Sequence, residues 1–173
     1  MTAQEIMDLF SLNPLPREGG YFRRVYLGGD VVSGASLPGR YGRDKVLGSS
    51  VLYLITPESW SSLHRLQGDE IWHLCMGGPA EQLLLYPDGT CQVRILGSTS
   101  ESGGLPVSVV PHGVWQGTRL TSGASFALFG VTMPLAYDDE DVTFAGTEEL
   151  ISLYPQCRDM IASFRQHEGD DFL

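Results

Sequence analysis

Ser62-Leu-His64-Arg-Leu66-Gln-Gly-Asp-Glu70-Ile-Trp72-His73-Leu-Cys-Met-Gly77 has two apolar-rich segments around a polar turn. Side chains alternate along an extended strand, so His64 and Leu66 share one face. Gln67-Gly-Asp69 is a tight turn that returns Glu70 to the same layer. His64 and Glu70 then converge at the mouth of a barrel, with Trp72 one step deeper. By the same alternation His73 opposes Trp72 and faces out. Downstream, Val110-Pro111-His112-Gly113-Val114-Trp115-Gln116 is a second strand–turn–strand unit that faces the first, with His112 in its turn.

The flanking sequence continues in strands. Ser49 to Thr56 is a buried strand closed by Pro57, and Trp60 to Leu66 and Glu70 to Met76 follow. Pro87-Asp-Gly-Thr90 is a turn in which Gly89 supplies positive φ. After it, Cys91, Val93 and Ile95 alternate with Gln92 and Arg94. Val107 to Val110, Gly113 to Leu120 and Ser125 to Met133 complete about eight short strands, the pattern of a sandwich, barrel or jelly roll. Upstream, Glu18 to Tyr26 is a turn feeding an aromatic strand, and Gly28 to Lys45 reads as a surface loop. Thr2 and Glu5 have the spacing of a capping box, so a short amphipathic helix is expected over about 3–11, with Ile6, Leu9 and Phe10 on one face. Helices are expected again over about 147–166, interrupted at Pro155. The chain therefore reads as one mainly β domain over 1–173, with the barrel between about 18 and 145.

Composition narrows the function classes. The chain has 173 residues, with 11 Lys+Arg against 21 Asp+Glu and a formal net charge of −10. Such an acidic chain repels phosphate backbones, so no nucleic-acid partner is expected. No apolar run approaches the ~18–20 residues that cross a bilayer, and the opening residues lack a secretory pattern, so the expected address is cytoplasmic with no membrane partner. Cys75, Cys91 and Cys157 lie in no C-x-x-C and are expected to be reduced, small buried hydrophobes. The one lysine, Lys45, sits in a glycine-rich segment, a poor place to desolvate a Schiff-base amine, and no phosphate-binding P-loop is present. Asp138 to Asp141 reads as a solvated acidic loop, and Arg65 with Asp69 as a solvated or interfacial pair.

Both motif segments resemble the paired motifs of the cupin superfamily, G-x5-H-x-H-x3,4-E-x6-G and G-x5-P-x-G-x2-H-x3-N. His64, Glu70 and Gly77 match the first, and Pro111 and Gly113 the second. Leu66 stands in place of the second histidine and Gln116 in place of the third. The chain also resembles an uncharacterised cupin subgroup described as sugar-epimerase-like. Their shared motifs are E-G-G-Y-F at Glu18 to Phe22, S-x-x-H-R-x-x-x-D-E-x-W-H at Ser61 to His73, and V-P-x-G-x-W at Val110 to Trp115. The resemblance implies an all-β double-stranded β-helix, a jelly-roll barrel with short N- and C-terminal helices. It further implies a small-molecule pocket inside the barrel and a homodimer.

The residues that carry chemistry follow from these segments. Glu70 is expected to orient His64 as a general base or acid, and Tyr53, on the adjacent buried strand, to act as the opposing acid. Trp72, Trp115 and Phe22 are expected to form aromatic pocket walls beside Gln116, which suits a sugar or nucleotide-sugar ligand. Of the adjacent Arg23 and Arg24 only one can face inward, and Arg23 is placed among the ligand-binding residues. This gives an isomerase or epimerase on a carbohydrate-like substrate, if the chain is an enzyme. The alternatives are a non-catalytic small-ligand-binding cupin and a metal-dependent cupin with His64, Glu70 and Gln116 as ligands. Loss of two imidazoles removes most of the affinity for a first-row metal, so no cofactor is expected and a divalent metal is the lesser reading.

Overall fold

The computed structural model describes residues 1–98 and 103–164. The last two residues of the expected C-terminal helical region, 165 and 166, lie outside the described residues.

Helix α1 (Ala3–Phe10) opens the chain, and its capping box forms as expected. Thr2 Oγ1 accepts from the Glu5 amide at 3.2 Å, and Glu5 Oε2 accepts from the Thr2 amide at 2.7 Å. The strands are β1 (Asn13–Pro14), β2 (Tyr21–Leu27), β3 (Val31–Val32), β4 (Lys45–Ile55), β5 (Ser61–Leu66) and β6 (Glu70–Gly77). They continue as β7 (Ala80–Leu85), β8 (Cys91–Leu96), β9 (Val107–Val110), β10 (Trp115–Leu120), β11 (Ala127–Leu135) and β12 (Val142–Phe144). Helices α2 (Thr147–Leu153) and α3 (Arg158–Ser163) close the chain. The segment from Gly28 to Lys45 holds β3 and a short 3-10 turn at Gly34–Ser36, and it ends in the first residue of β4.

Two antiparallel sheets face each other. The first runs β1-β2-β4-β11-β6-β9, with β3 on β4; the second runs β12-β5-β10-β7-β8. Alternation sorts the apolar residues into three layers. Tyr53, Ile55, Trp72, Val110, Phe129 and Val131 of the first sheet meet Ala80, Leu84 and Leu96 of the second in the barrel interior. Leu54 and Leu128, on the outer face of the first sheet, pack on Ile6 and Leu12. Leu63, Leu83, Leu85 and Trp115, on the outer face of the second, pack on Leu150, Ile151, Ile161 and Phe164 of α2, α3 and the residue after them. Helix α1 thus covers the outer face of the first sheet, and α2 with α3 covers that of the second. Leu9, expected on the packed face of α1, is exposed.

The turn between β7 and β8 forms as read: Gly89 has φ +89°, and Asp88 Oδ1 accepts from the Thr90 amide at 2.9 Å. The cysteine reading is corrected. Cys91 and Cys157 form a disulfide with Cα atoms 6.5 Å apart, joining β8 to the turn before α3, and Cys75 is exposed. Lys45 and the acidic run are corrected together. Lys45 is only 4% exposed and is ion-paired with the equally buried Asp141. Arg43 also binds Asp141, at 2.9 Å, and pairs with Glu140 and Asp138. The acidic run is therefore a partly buried clamp on the start of β4, because a buried carboxylate needs cations beside it. Arg65 and Asp69 do not pair: the Arg65 guanidinium lies 4.7 Å from the Trp115 ring centroid, and Asp69 accepts from the His112 amide at 2.8 Å.

Candidate functional site

A cavity of about 430 Å³ opens on the inner face of the first sheet. Its walls come from β2 (Phe22, Arg24), β4 (Ser49, Val51, Tyr53), β11 (Val131, Met133) and β6 (Glu70, Trp72). Leu66 is the second sheet's contribution, and two connecting segments, Leu15 with Glu18 and Tyr137 to Asp139, form the rim.

Glu70 is the buried carboxyl of this cavity. Its Oε2 accepts from Trp72 Nε1 at 2.8 Å and from Gln116 Nε2 at 2.6 Å, the second bond crossing between the two sheets. Burial raises its pKa above the ordinary carboxylate value, against the opposing pull of His64, and the charge of Glu18 adds to the rise. His64 lies one step deeper on β5 than Leu66, directly opposite Gln116 across the β5–β10 ladder. Its Nδ1 is 2.8 Å from the Ser62 carbonyl oxygen. A carbonyl only accepts, so Nδ1 carries a proton and donates it to that bond. The expected His64–Glu70 pair is therefore corrected: no hydrogen bond joins them among the described residues, and Glu70 is held by Trp72 and Gln116 instead. Two buried oxygens beside this cluster, Ser62 Oγ and Gln116 Oε1, have no hydrogen-bond partner among the described residues.

Tyr53 lines the cavity, in edge-to-face contact with Trp72 at 5.4 Å between centroids. Its hydroxyl donates to the Gly19 carbonyl at 2.8 Å. Burial, then the Glu18 charge, raises its pKa well above the ordinary phenol value, which keeps the phenol protonated. Trp115 does not join the site. It neighbours Gln116 on a strand, so with Gln116 inward it faces outward, under α2 and α3. The arginine assignment is also reversed. Arg24 lines the cavity, whereas Arg23 Nη1 donates to the Phe10 carbonyl at 3.0 Å on the other face of the sheet.

Sequence reasoning missed Glu18, Tyr137 and Asp139. The signal for Glu18 is the glycine pair that follows it. Gly20, at φ +68°, passes so close to Tyr53 that a Cβ there would stand 2.6 Å from the phenol oxygen, while Gly19 supplies the carbonyl that Tyr53 binds. This tight turn presents Glu18 to the cavity, where its Oε1 accepts from Ser61 Oγ at 3.0 Å.

The donor set does not fit a divalent metal. Gln116 turns its N–H, not its oxygen, toward Glu70, whose Oε2 already takes two N–H bonds. Among the described residues no three His, Cys, Asp or Glu side chains are grouped to hold an ion.

A two-sheet antiparallel barrel with a cavity between its sheets, sealed by terminal helices, defines a protein of cupin type. The chain belongs to the Cupin superfamily (DUF985), whose family model matches residues 4–145. It is 28% identical over 146 residues to the uncharacterized protein YML079W of Saccharomyces cerevisiae, a match covering 78% of this chain and 71% of the yeast protein. It is similar to the solved structure of a hypothetical protein from Leishmania major, with TM-score 0.86 and 25% identity, covering 96% of this chain and all of that one. Protein SO0799 from Shewanella oneidensis is similar at TM-score 0.82 and 24% identity, covering 97% and 99%. Oxalate decarboxylase from Bacillus subtilis shares the fold alone, at TM-score 0.53 and 14% identity, with 39% of its length covered. No helix among the described residues is long and apolar enough to cross a membrane.

Proposed function

We propose that the chain is a single cupin domain that binds a small, carbohydrate-like molecule in this cavity and moves a proton on it, as an isomerase or epimerase does. One observation carries the reading. Glu70 is a buried carboxyl that faces a cavity of ligand size, with one oxygen, Oε2, fixed by two N–H donors and the other, Oε1, accepting no hydrogen bond among the described residues. A carboxyl whose pKa is raised by burial is a better base near neutral pH and, once protonated, a usable acid. Trp72, Tyr53 and Phe22 supply apolar ring faces of the kind that stack on sugars. Gln116 is a positioning residue for Glu70, and His64 lies opposite Gln116 across the β5–β10 ladder.

The test is solvent exchange. Reducing sugars and small keto-sugars incubated with the protein in deuterated buffer should take up deuterium next to the carbonyl, read by proton NMR. Glu70→Gln should slow uptake about a hundredfold or more. Exchange that persists in that variant rejects the role of Glu70.

A second reading, a binding protein without turnover, is favoured by one feature: the Tyr53 hydroxyl and His64 Nδ1 are both committed to backbone carbonyls. Ligand binding with no deuterium uptake would select it. Homodimerisation is supported by the outer edge of β2, where Val25, Tyr26 and Leu27 are exposed beyond the two residues that β1 pairs. Sedimentation tests it, and a monomeric mass rejects it. The disulfide does not support the cytoplasmic address, since such bonds persist in oxidising compartments.

A further inference from the structure

We propose that the cavity selects a positively charged ligand, one that carries an amine, and rejects phosphates. The inference rests on the reading of the cavity as a small-molecule site and deepens it by naming the ligand's charge. Four carboxyl groups line the walls and rim, Glu18, Glu70, Asp138 and Asp139, against one cation, Arg24. Asp138 is partly neutralised by Arg43 at 3.4 Å. Neither Glu18 nor Asp139 pairs with a cation among the described residues, and Arg24, at the exposed rim, makes no ion pair there either. Arg17, the other nearby cation, lies over the Phe144 ring at 4.5 Å.

The hydrogen-bonding inventory points the same way. Carboxylate oxygens only accept, and Tyr53 spends its one proton on Gly19. The donors that remain are Arg24 and the Ser49 hydroxyl, since the Tyr137 hydroxyl is engaged by Asp139. A ligand that satisfies these walls therefore brings donors, and an ammonium brings three with no acceptor. Four rings, Phe22, Tyr53, Trp72 and Tyr137, complete the lining, and their faces attract cations. Fixed charges act the same way at two of the walls. Burial and then the Glu18 charge raise the Tyr53 pKa, and burial, then Asp139 and Glu18, raise that of Tyr137. The carboxylates behind those shifts, unlike burial itself, favour a cation, whereas at Glu70 the pull of His64 comes ahead of the Glu18 charge. A nucleotide sugar would bring its diphosphate against Glu18 and Asp139 with Arg24 as the one cation in the cavity lining.

The test uses matched probes that differ in charge: glucosamine, glucose and a glucose phosphate, then choline and its uncharged tert-butyl analogue. Binding is followed by calorimetry and by ligand-observed NMR on the full chain. The expected result is that the cation of each set binds about tenfold or more tightly than its neutral partner and the phosphate binds least. That advantage should shrink to about threefold or less in Glu18→Gln and, as a second variant on a different segment, in Asp139→Asn. Choline binding with no sugar binding keeps the charge inference and rejects the carbohydrate reading. Glucose or its phosphate binding as tightly as glucosamine overturns the charge inference and keeps the carbohydrate reading. Binding by none of the probes overturns both.

Discussion

Strand β10 runs through two buried polar clusters that treat their hydrogen bonds in opposite ways. At Thr118 the cluster is closed. Ser108 Oγ donates to Gln82 Oε1 at 2.7 Å, Gln82 Nε2 donates to Thr118 Oγ1 at 3.2 Å, and Arg94 Nη1 donates to Ser108 Oγ at 3.1 Å. Arg94 also reaches the Val109 carbonyl and the Tyr86 hydroxyl, so the edge strands β8 and β9 of the two sheets are tied together. Two residues earlier, at Gln116, the cluster is open. Gln116 Nε2 holds Glu70, but Gln116 Oε1 and the neighbouring Ser62 Oγ are buried without partners among the described residues. Buried polar atoms are nearly always satisfied, because an unpaired one costs about 1–3 kcal/mol. One end of the barrel therefore uses its polar groups to hold the sheets together. The other keeps capacity in reserve beside the cavity, which is how a site differs from a structural network.

The largest effect should come from the closed cluster. Gln82→Leu removes both side-chain bonds of a fully buried amide and strands its partners on Ser108 and Thr118. It should cost about 3 kcal/mol in urea unfolding, with ligand affinity unchanged in the folded fraction. A loss under about 1 kcal/mol would show that the closed network contributes little. Gln116→Leu should do the reverse. It removes one bond to Glu70 but also the unpaired acceptor, so stability should move by about 1 kcal/mol or less. Ligand binding and deuterium uptake should fall about tenfold, because Glu70 loses the donor that positions it. Equal stability losses in both variants would erase the contrast between the clusters.

Much of this contrast was legible from alternation. His64 and Leu66 on one face and the tight turn to Glu70 follow from a period of two, whereas Gln116 was marked by its place in the second cupin motif, and the ladder places it opposite His64. The same period should have excluded Trp115 once Gln116 was placed inward, since neighbours on a strand cannot share a face. Parity was overlooked in the same way on β2: with Phe22 placed inward, its neighbour Arg23 cannot share its face and Arg24 does, since the pairing with β4 is regular from Tyr21 to Arg24 and shifts only beyond it. The Cys91–Cys157 bond and the Lys45–Asp141 pair join positions 66 and 96 residues apart. No local signal marks such contacts, because they exist only after the sheets have stacked and the C-terminal helices have docked. Glu18 lay between these cases: its two glycines announced a tight turn, but not what the turn faced.

The smallest effect is the most diagnostic, because it links stability to the site. Glu70 has its pKa raised in the folded chain above 4.5, mainly by burial, with His64 and the Trp72 and Gln116 bonds opposing. A carboxyl raised on folding binds its proton more tightly in the native state. Its stabilising contribution is thus complete below pH about 4.5 and is lost as pH rises through the folded value. Glu70→Gln keeps an oxygen for the two N–H donors and has no proton to lose. Its urea midpoint relative to the natural chain should therefore climb as pH goes from about 4 to about 8, leaving the variant the more stable protein at neutral pH. A difference that stays flat across that range would mean that burial does not disfavour the Glu70 carboxylate. A variant that gains stability while losing ligand binding or exchange would show that the charged form is retained against the fold's own preference, the expected trade at a working site.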